Sequence, residues 1–90
     1  MLIALMAKDK EGALQTRLDN REAHVAHIKD SGIVMYAGPF LDDAGAMCGS
    51  LVILDVEDMA AAEEWAANDP YAKAGLFASS ELIQWNKVIG

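Results

Sequence analysis

One cysteine is all this chain offers, so Cys48 has no internal partner for a disulfide. A lone thiol suits a reducing compartment, and the expected location is the cytoplasm. Positive charge is scarce too: 7 Lys and Arg side chains stand against 14 Asp and Glu, a formal net charge of −7. A chain this acidic repels phosphate backbones, and no Lys/Arg cluster breaks the pattern. Nucleic acid and anionic membrane are therefore set aside as partners. Long hydrophobic runs are missing as well. Leu2–Ala7 is apolar but far shorter than the ~20 residues needed to span a bilayer. It has no basic flank and no cleavage-like site, so it reads as a strand and not as a signal peptide. Only 2 prolines and 7 glycines are scattered along the chain, and no stretch reads as a linker, repeat or low-complexity tract. The generic chemical signatures are absent too: there is no phosphate-binding loop, no G-x-G-x-x-G, no H-E-x-x-H and no G-x-S-x-G.

What remains is globular. The composition is 53% hydrophobic and 23% charged over 90 residues, which implies one domain spanning 1–90. A domain this small buries roughly 60–70% of the surface its unfolded chain exposes, so it gains from a partner.

Leu2–Ala7 reads as a first strand. Asp9–Leu18 is polar and reads as a loop with a short helical turn. Asp19 has the character of an N-cap, with Glu22 at the capping-box position, so a helix is expected from Asn20 to about Asp30, stopped by Gly32. Ile33–Ala37 reads as strand two, ended by Gly38-Pro39, and 41–46 as a turn rich in Asp and Gly. Ser50–Val56 is the clearest strand, with a start expected nearer Met47. Asp58 caps an Ala-rich helix over Met59–Asn68. Asp69-Pro70 opens one more helical turn, and Glu81–Val88 is the last strand. The order is βαββαβ, an α+β chain of ferredoxin-like arrangement.

The central strands carry a second message. Val52, Leu54 and Val56 share one face of strand three, while Leu51 and Ile53 share the other. Strand one is apolar on both faces as well. A sheet with helices on one side and water on the other should alternate apolar with polar. The expected cover for the second face is the sheet of another copy, which implies a homodimer.

The polar residues in this apolar chain are the candidates for chemistry. His24 and His27 lie three apart on the first helix and could share a face. No third or fourth ligand stands at a recognisable spacing, so no metal is expected. His27 reads as a solvated helix residue. Asp69 before Pro70 is ordinary helix-capping chemistry. Ser50 is either a small strand residue bonded to backbone or a side chain aimed into a pocket. Cys48 reads as a small apolar filler, and Trp65 and Trp85 as core or interface residues.

Taken together, Arg21-Glu-Ala-His-Val-Ala-His-Ile28, Ala37-Gly-Pro39, Gly49-Ser50, Ala62-Glu-Glu-Trp65 and Asn68-Asp-Pro-Tyr71 resemble the YciI-like (YCII-related) domain family. The blocks fall in the family's order and span nearly the whole chain. The resemblance implies the fold of the dimeric α+β barrels. It also implies an active-site pair, a helix-one histidine and an aspartate ahead of a proline, at His24 and Asp69. Arg21, Gly38, Pro39 and Ser50 fall in segments that would line the same cleft. Gly38 has no side chain to keep a ligand from the backbone, and Pro39 stiffens the strand beside it. Among the family's relatives are enzymes of aromatic-compound degradation.

Histidine titrates near neutral pH, and a carboxylate on one ring nitrogen fixes its tautomer and favours the charged ring. Such a pair can move a proton next to a carbonyl or phenol without a cofactor. The implied function is acid–base chemistry, an elimination or isomerisation, on a small organic ligand. Two alternatives stand beside it. One is a non-catalytic domain that binds a small ligand or serves as a dimeric accessory unit. The other is a cofactor-free monooxygenase of a neighbouring dimeric-barrel family.

Overall fold

Strand β1 covers Leu2–Asp9, where alternate residues turn to opposite faces. In this computed structural model, which describes residues 1–90, it is followed by α1 (Leu14–Ser31), β2 (Val34–Leu41), β3 (Met47–Asp55), α2 (Met59–Asn68), α3 (Pro70–Lys73) and β4 (Phe77–Trp85). The four strands form one antiparallel sheet in the order β2-β3-β1-β4. This is the ferredoxin-like βαββαβ arrangement, with α3 added as a single turn before the last strand.

On the helix side of the sheet, Ile3 and Leu5 of β1 meet Val52 and Leu54 of β3, and Val56, Ala62 and Trp65 close the core over them. Truncating one of the larger aliphatic residues to Ala would cost about 2–5 kcal/mol. The opposite face is apolar as well. There Ala4, Met6, Leu51 and Ile53 from the central strands join Tyr36, Ile83 and Trp85 around a shallow groove of about 430 Å³. Tyr36 is 58% exposed, Ile83 46% and Trp85 42%. The two-faced pattern read from β1 and β3 is thus present, and the outer strands extend it.

The first helix departs most from the sequence reading. It begins at Leu14, not Asn20, so residues 14–18 are helical and not loop. Asp19 lies inside the helix, where its carboxylate accepts from Gln15 Nε2 at 2.8 Å, and is no N-cap. The cap position falls to Ala13, which supplies no side-chain bond. The cause is the inward face. Its two buried residues are Arg17 and His24, so the apolar period that marks a helix is missing from its first half. The far end behaves as expected: Gly32 adopts the left-handed conformation, φ 68°, that terminates the helix.

Strand two also runs on, through Gly38-Pro39 to Leu41. Proline is tolerated because β2 is an edge strand, where a missing N–H breaks no interior ladder. Strand four is shifted earlier, Phe77–Trp85 instead of Glu81–Val88, and residues 86–90 lie outside it. Its serines and Glu81 are exposed, as an edge strand permits. Met59–Asn68 is helical as read, and Asp58 accepts from Ala61 N at 2.9 Å. The helix breaks at Asp69 (φ −62°, ψ 124°) because the residue before a proline is pushed out of the helical region. No helix is long and apolar enough to cross a membrane.

Candidate active site

Arg17, Arg21, His24 and Ile28 follow one another at spacings of four, three and four residues, so they share one stripe of α1. The stripe forms one wall of a cleft of about 160 Å³. Ala37, Gly38 and Pro39 of β2 form the facing wall, Met47 and Ser50 of β3 contribute the floor, and Tyr71 of α3 closes one side.

Arg17 is only 2% exposed. A buried guanidinium is tolerable only when paired and hydrogen-bonded. Asp9, at the end of β1, supplies the pair: Nε and Nη2 of Arg17 each donate to one carboxylate oxygen at 2.8 Å. Nη2 also donates to Ser50 Oγ at 2.9 Å. Burial works against the charge, but the hydrogen bonds and attraction of Asp9 outweigh it and hold the Arg17 pKa above the ordinary arginine value. Arg17 is thus a fixed positive charge tied to the sheet. The guanidinium also acts as a hydrogen-bond donor toward the Tyr71 hydroxyl, and it lines the cleft.

His24 sits two turns further along α1 and is buried. Its Nδ1 lies 2.7 Å from Asp69 Oδ1, to which it donates. The same oxygen accepts from the backbone N–H of Tyr71 at 3.0 Å, so Asp69 caps α3 and holds the imidazole at once. Asp69 is 1% exposed, and its Oδ2 is the one buried side-chain polar atom without a partner. The His24 ring stacks on Tyr71 with centroids 3.9 Å apart and planes at 13°. Bond and stack fix the ring in two independent ways. Nε2 is left without a protein partner, on the side open to the cleft.

Tyr71 is buried, and the Arg17 guanidinium lies over its ring, 4.8 Å from the centroid. Burial raises the phenol pKa; the positive charges of Arg17 and Arg21 pull it down but do not cancel the rise. The hydroxyl therefore stays protonated at neutral pH. It is not sealed from solvent, and no protein acceptor takes its proton.

The residues singled out in the sequence divide into three kinds. His24, Arg21, Gly38, Pro39 and Ser50 all line the cleft. Asp69 does not: it stands behind His24 and reaches the cleft only through the imidazole. Ser50 is buried at the cleft floor, where its hydroxyl oxygen accepts from Arg17. Gly38 has no positive φ, and a Cβ built there meets nothing within 4 Å. The constrained glycine is Gly49 on the adjoining strand, where a Cβ would run into the carbonyl oxygen of Ala7. His27 is not a solvated residue. Its Nε2 lies 3.1 Å from the Trp65 carbonyl oxygen, and its ring stacks on that indole at 4.5 Å. Cys48 is exposed and not a filler. Arg17, Asp9 and Tyr71 escape the sequence reading. Tyr71 lies within a block that carries the family resemblance, and Arg17 precedes His24 by two helical turns; neither signal separates a site residue from a solvated one.

The family model of the YCII-related domain matches residues 1–86. Proteins named Protein YciI in Escherichia coli and Shigella flexneri are 37% identical over 97 residues, which covers 98% of this chain and 99% of each relative. Among solved structures, the 5-chloro-2-hydroxyhydroquinone dehydrochlorinase of Burkholderia phenoliruptrix, in complex with 2,5-dihydroxybenzoquinone, superposes with a TM-score of 0.87 at 35% identity. That match covers 96% of this chain and 94% of the other. An antibiotic biosynthesis monooxygenase superposes with a TM-score of 0.63 over 99% of this chain and 100% of its own, at 14% identity, a likeness of fold alone.

Proposed function

This chain belongs to the YCII-related family, and on that basis we propose that it is an enzyme in which His24, backed by Asp69, moves protons on a small ring-shaped organic substrate. The observation that carries the reading is the orientation of one imidazole. Nδ1 is engaged by a buried carboxylate at 2.7 Å, which puts the ring proton there and leaves the lone pair of Nε2 toward the cleft. A base must present that lone pair, and it must tolerate the positive charge that follows. Asp69 serves the second need: its buried carboxylate faces the ring at 2.7 Å, with the Tyr71 N–H as its one other donor. Leaving a polar atom buried and unpaired costs on the order of 1–3 kcal/mol, so its presence beside the candidate base is consistent with function.

The size of the cleft supports the substrate class. Its volume is about 160 Å³, and an apolar cavity of roughly that size accepts a single benzene ring. The neighbour at 35% identity acts, by its name, on a chlorinated hydroxyhydroquinone, a single ring with acidic hydroxyls. A dehydrochlorinase removes hydrogen chloride. In such a step Nε2 takes the proton, the electron pair left behind becomes a new π bond, and the leaving group departs with its own pair. An isomerisation uses the same base and returns the proton to another atom. Neither step changes the number of electrons on the organic molecule and the departing groups taken together, so proton transfer and, for the elimination, departure of chloride suffice.

The site reading comes with an assembly. The apolar groove of Met6, Tyr36, Leu51, Ile83 and Trp85 is the natural seat for the same face of a second copy, giving a homodimer packed sheet to sheet.

The test is turnover of chlorinated and non-chlorinated hydroxyhydroquinones, followed by chloride release and quinone absorbance. The expected result is activity that His24→Gln lowers at least a hundredfold, by about two orders of magnitude or more, while the circular dichroism spectrum is unchanged. Activity equal in wild type and His24→Gln would remove His24 as the base. Tight binding of 2,5-dihydroxybenzoquinone with no turnover of any ring tested would favour the non-catalytic ligand-binding alternative.

A further inference from the structure

Beyond the proton-transfer pair, we infer that Tyr71 and Arg17 form an anion-binding subsite in the same cleft, one that selects substrates carrying an ionised ring oxygen. The inference rests on the reading of the cleft as a substrate site and adds to it the charge state that the site recognises.

Three observations carry it. First, the Arg17 guanidinium is built in: 2% exposed, braced by both oxygens of Asp9 and by Ser50, it polarises the Tyr71 hydroxyl and still lines the cleft. If Arg17 only balanced Asp9, a guanidinium would not need to line the cleft at all. Second, Tyr71 places a hydroxyl with no protein acceptor in the same cleft, and the guanidinium carbon lies 4.8 Å from its ring centroid. Burial keeps that hydroxyl protonated, so it is a donor and not a competing anion. Third, Arg21, exposed at the rim, adds a second positive charge that acts on the same phenol. Asp9 balances Arg17, so Arg21 is the unpaired positive charge of the cleft, and no carboxylate stands on the walls themselves. A lining of this kind presents donors and a positive rim, and it suits an oxyanion.

The geometry also divides the labour. His24 stacks on one aromatic surface of Tyr71, and Arg17 lies two helical turns away over the same ring. An ionised oxygen held by the Tyr71 hydroxyl beside Arg17 leaves the rest of a single ring to lie toward Nε2. Ring compounds whose hydroxyl is already ionised at neutral pH, such as hydroxyquinones, fit this arrangement. A neutral hydroxyhydroquinone meets it once a ring hydroxyl has given up its proton.

The experiment is equilibrium binding at pH 7 of two probes, 2,5-dihydroxybenzoquinone, which is anionic there, and hydroquinone, which is neutral and of the same ring size. Wild type should bind the anion at least tenfold more tightly than hydroquinone. Tyr71→Phe keeps the ring that stacks on His24 and loses only the hydroxyl. It should weaken anion binding about tenfold or more, the worth of a hydrogen bond to a charged partner, and leave hydroquinone binding within about twofold. Arg21→Gln, on an exposed residue that the fold does not need, should reduce the preference for the anion and its sensitivity to salt. Equal affinity for the two probes in wild type, or a Tyr71→Phe variant that binds the anion as tightly as wild type, would overturn the inference. The two readings fail separately. Loss of anion binding in Tyr71→Phe with no turnover in wild type sustains the subsite and removes the enzyme. His24-dependent turnover with an unaffected Tyr71→Phe sustains the enzyme and removes the subsite.

Discussion

Replacing Asp69 by Asn tests the pair with the least disturbance of shape. Two bonds converge on Asp69 Oδ1, from His24 Nδ1 at 2.7 Å and from Tyr71 N at 3.0 Å. An amide oxygen can still cap α3, and Asn is nearly as good a cap as Asp, so that role changes by only a few tenths of a kcal/mol. The other atom is the difficulty. Oδ2 is buried with no partner, and an amide NH2 in its place would be an unsatisfied buried donor, costing about 1–3 kcal/mol. If the amide flips instead, it donates to Nδ1, forces the ring proton onto Nε2 and gives up the cap on α3, because its NH2 then faces the Tyr71 N–H. The lone pair then no longer faces the cleft. Either way the cationic ring loses its counter-charge. The expected outcome is a folded variant, destabilised by about 1–3 kcal/mol, with turnover reduced by about two to four orders of magnitude. The first assay needs no substrate. Nitrogen-15 spectra of the His24 ring report which nitrogen carries the proton: Nδ1 in wild type, and Nε2 in Asp69→Asn if the new amide is flipped. Turnover and thermal melting supply the rest. A variant with wild-type tautomer, wild-type turnover and unchanged melting would refute the reasoning and reduce Asp69 to a helix cap.

Four further outcomes are expected. Arg17→Met should destabilise the fold by roughly 3–5 kcal/mol by leaving Asp9 buried and unpaired, and Asp9→Asn added to it should recover part of that loss in denaturant titrations. Tyr71 has its pKa raised by burial, so it favours the folded state fully below about pH 10 and loses that contribution as the pH climbs through the raised value. Tyr71→Phe should therefore show a shallower loss of stability than wild type as the pH rises above about 10 in urea melts. Gly49→Ala should lower the melting temperature through its collision with the Ala7 carbonyl, whereas Gly38→Ala, with open space around it, should melt as wild type does. Ile83→Lys places a charge on a 46% exposed site in the apolar sheet face; sedimentation should shift from dimer to monomer at micromolar concentration, and a wild-type protein already monomeric there would dispose of the sheet-to-sheet assembly.

The order of the elements is legible in the sequence because it rests on strong local signals, whereas the cleft segments come only from the family resemblance. Two-sided apolar strands, the Asp58 cap, the Gly32 stop and the Asp69-Pro70 break each follow from one residue type in one backbone state. The start of α1 is not legible, for a physical reason. The stripe that lines the cleft carries Arg17, Arg21 and His24, so on hydropathy alone this face of the helix looks like a solvated one. Ser50 is visible as an oddity among apolar neighbours, but its partner Arg17 lies 33 residues away, and no local pattern joins them. His27 escapes for the same reason, since the carbonyl that engages it belongs to Trp65 on another helix. Contacts between distant segments decide the site, and a single sequence does not display them.

That non-locality bears on when the site comes into being. His24 and Asp69 are 45 residues apart, Arg17 and Ser50 are 33, and the floor and one side of the cleft come from β3 and α3, which follow its two walls in the chain. A chain still emerging from the ribosome has α1 and its histidine early, but no counter-charge for it until α3 has been released. Loop closure over such distances is slow compared with local helix formation. The Nε2 lone pair is therefore aimed only after the sheet is paired and the helices have docked. In a refolding experiment, ligand binding and turnover should return with the last cooperative phase and never ahead of it, which makes the cleft a reporter on completion of the whole fold.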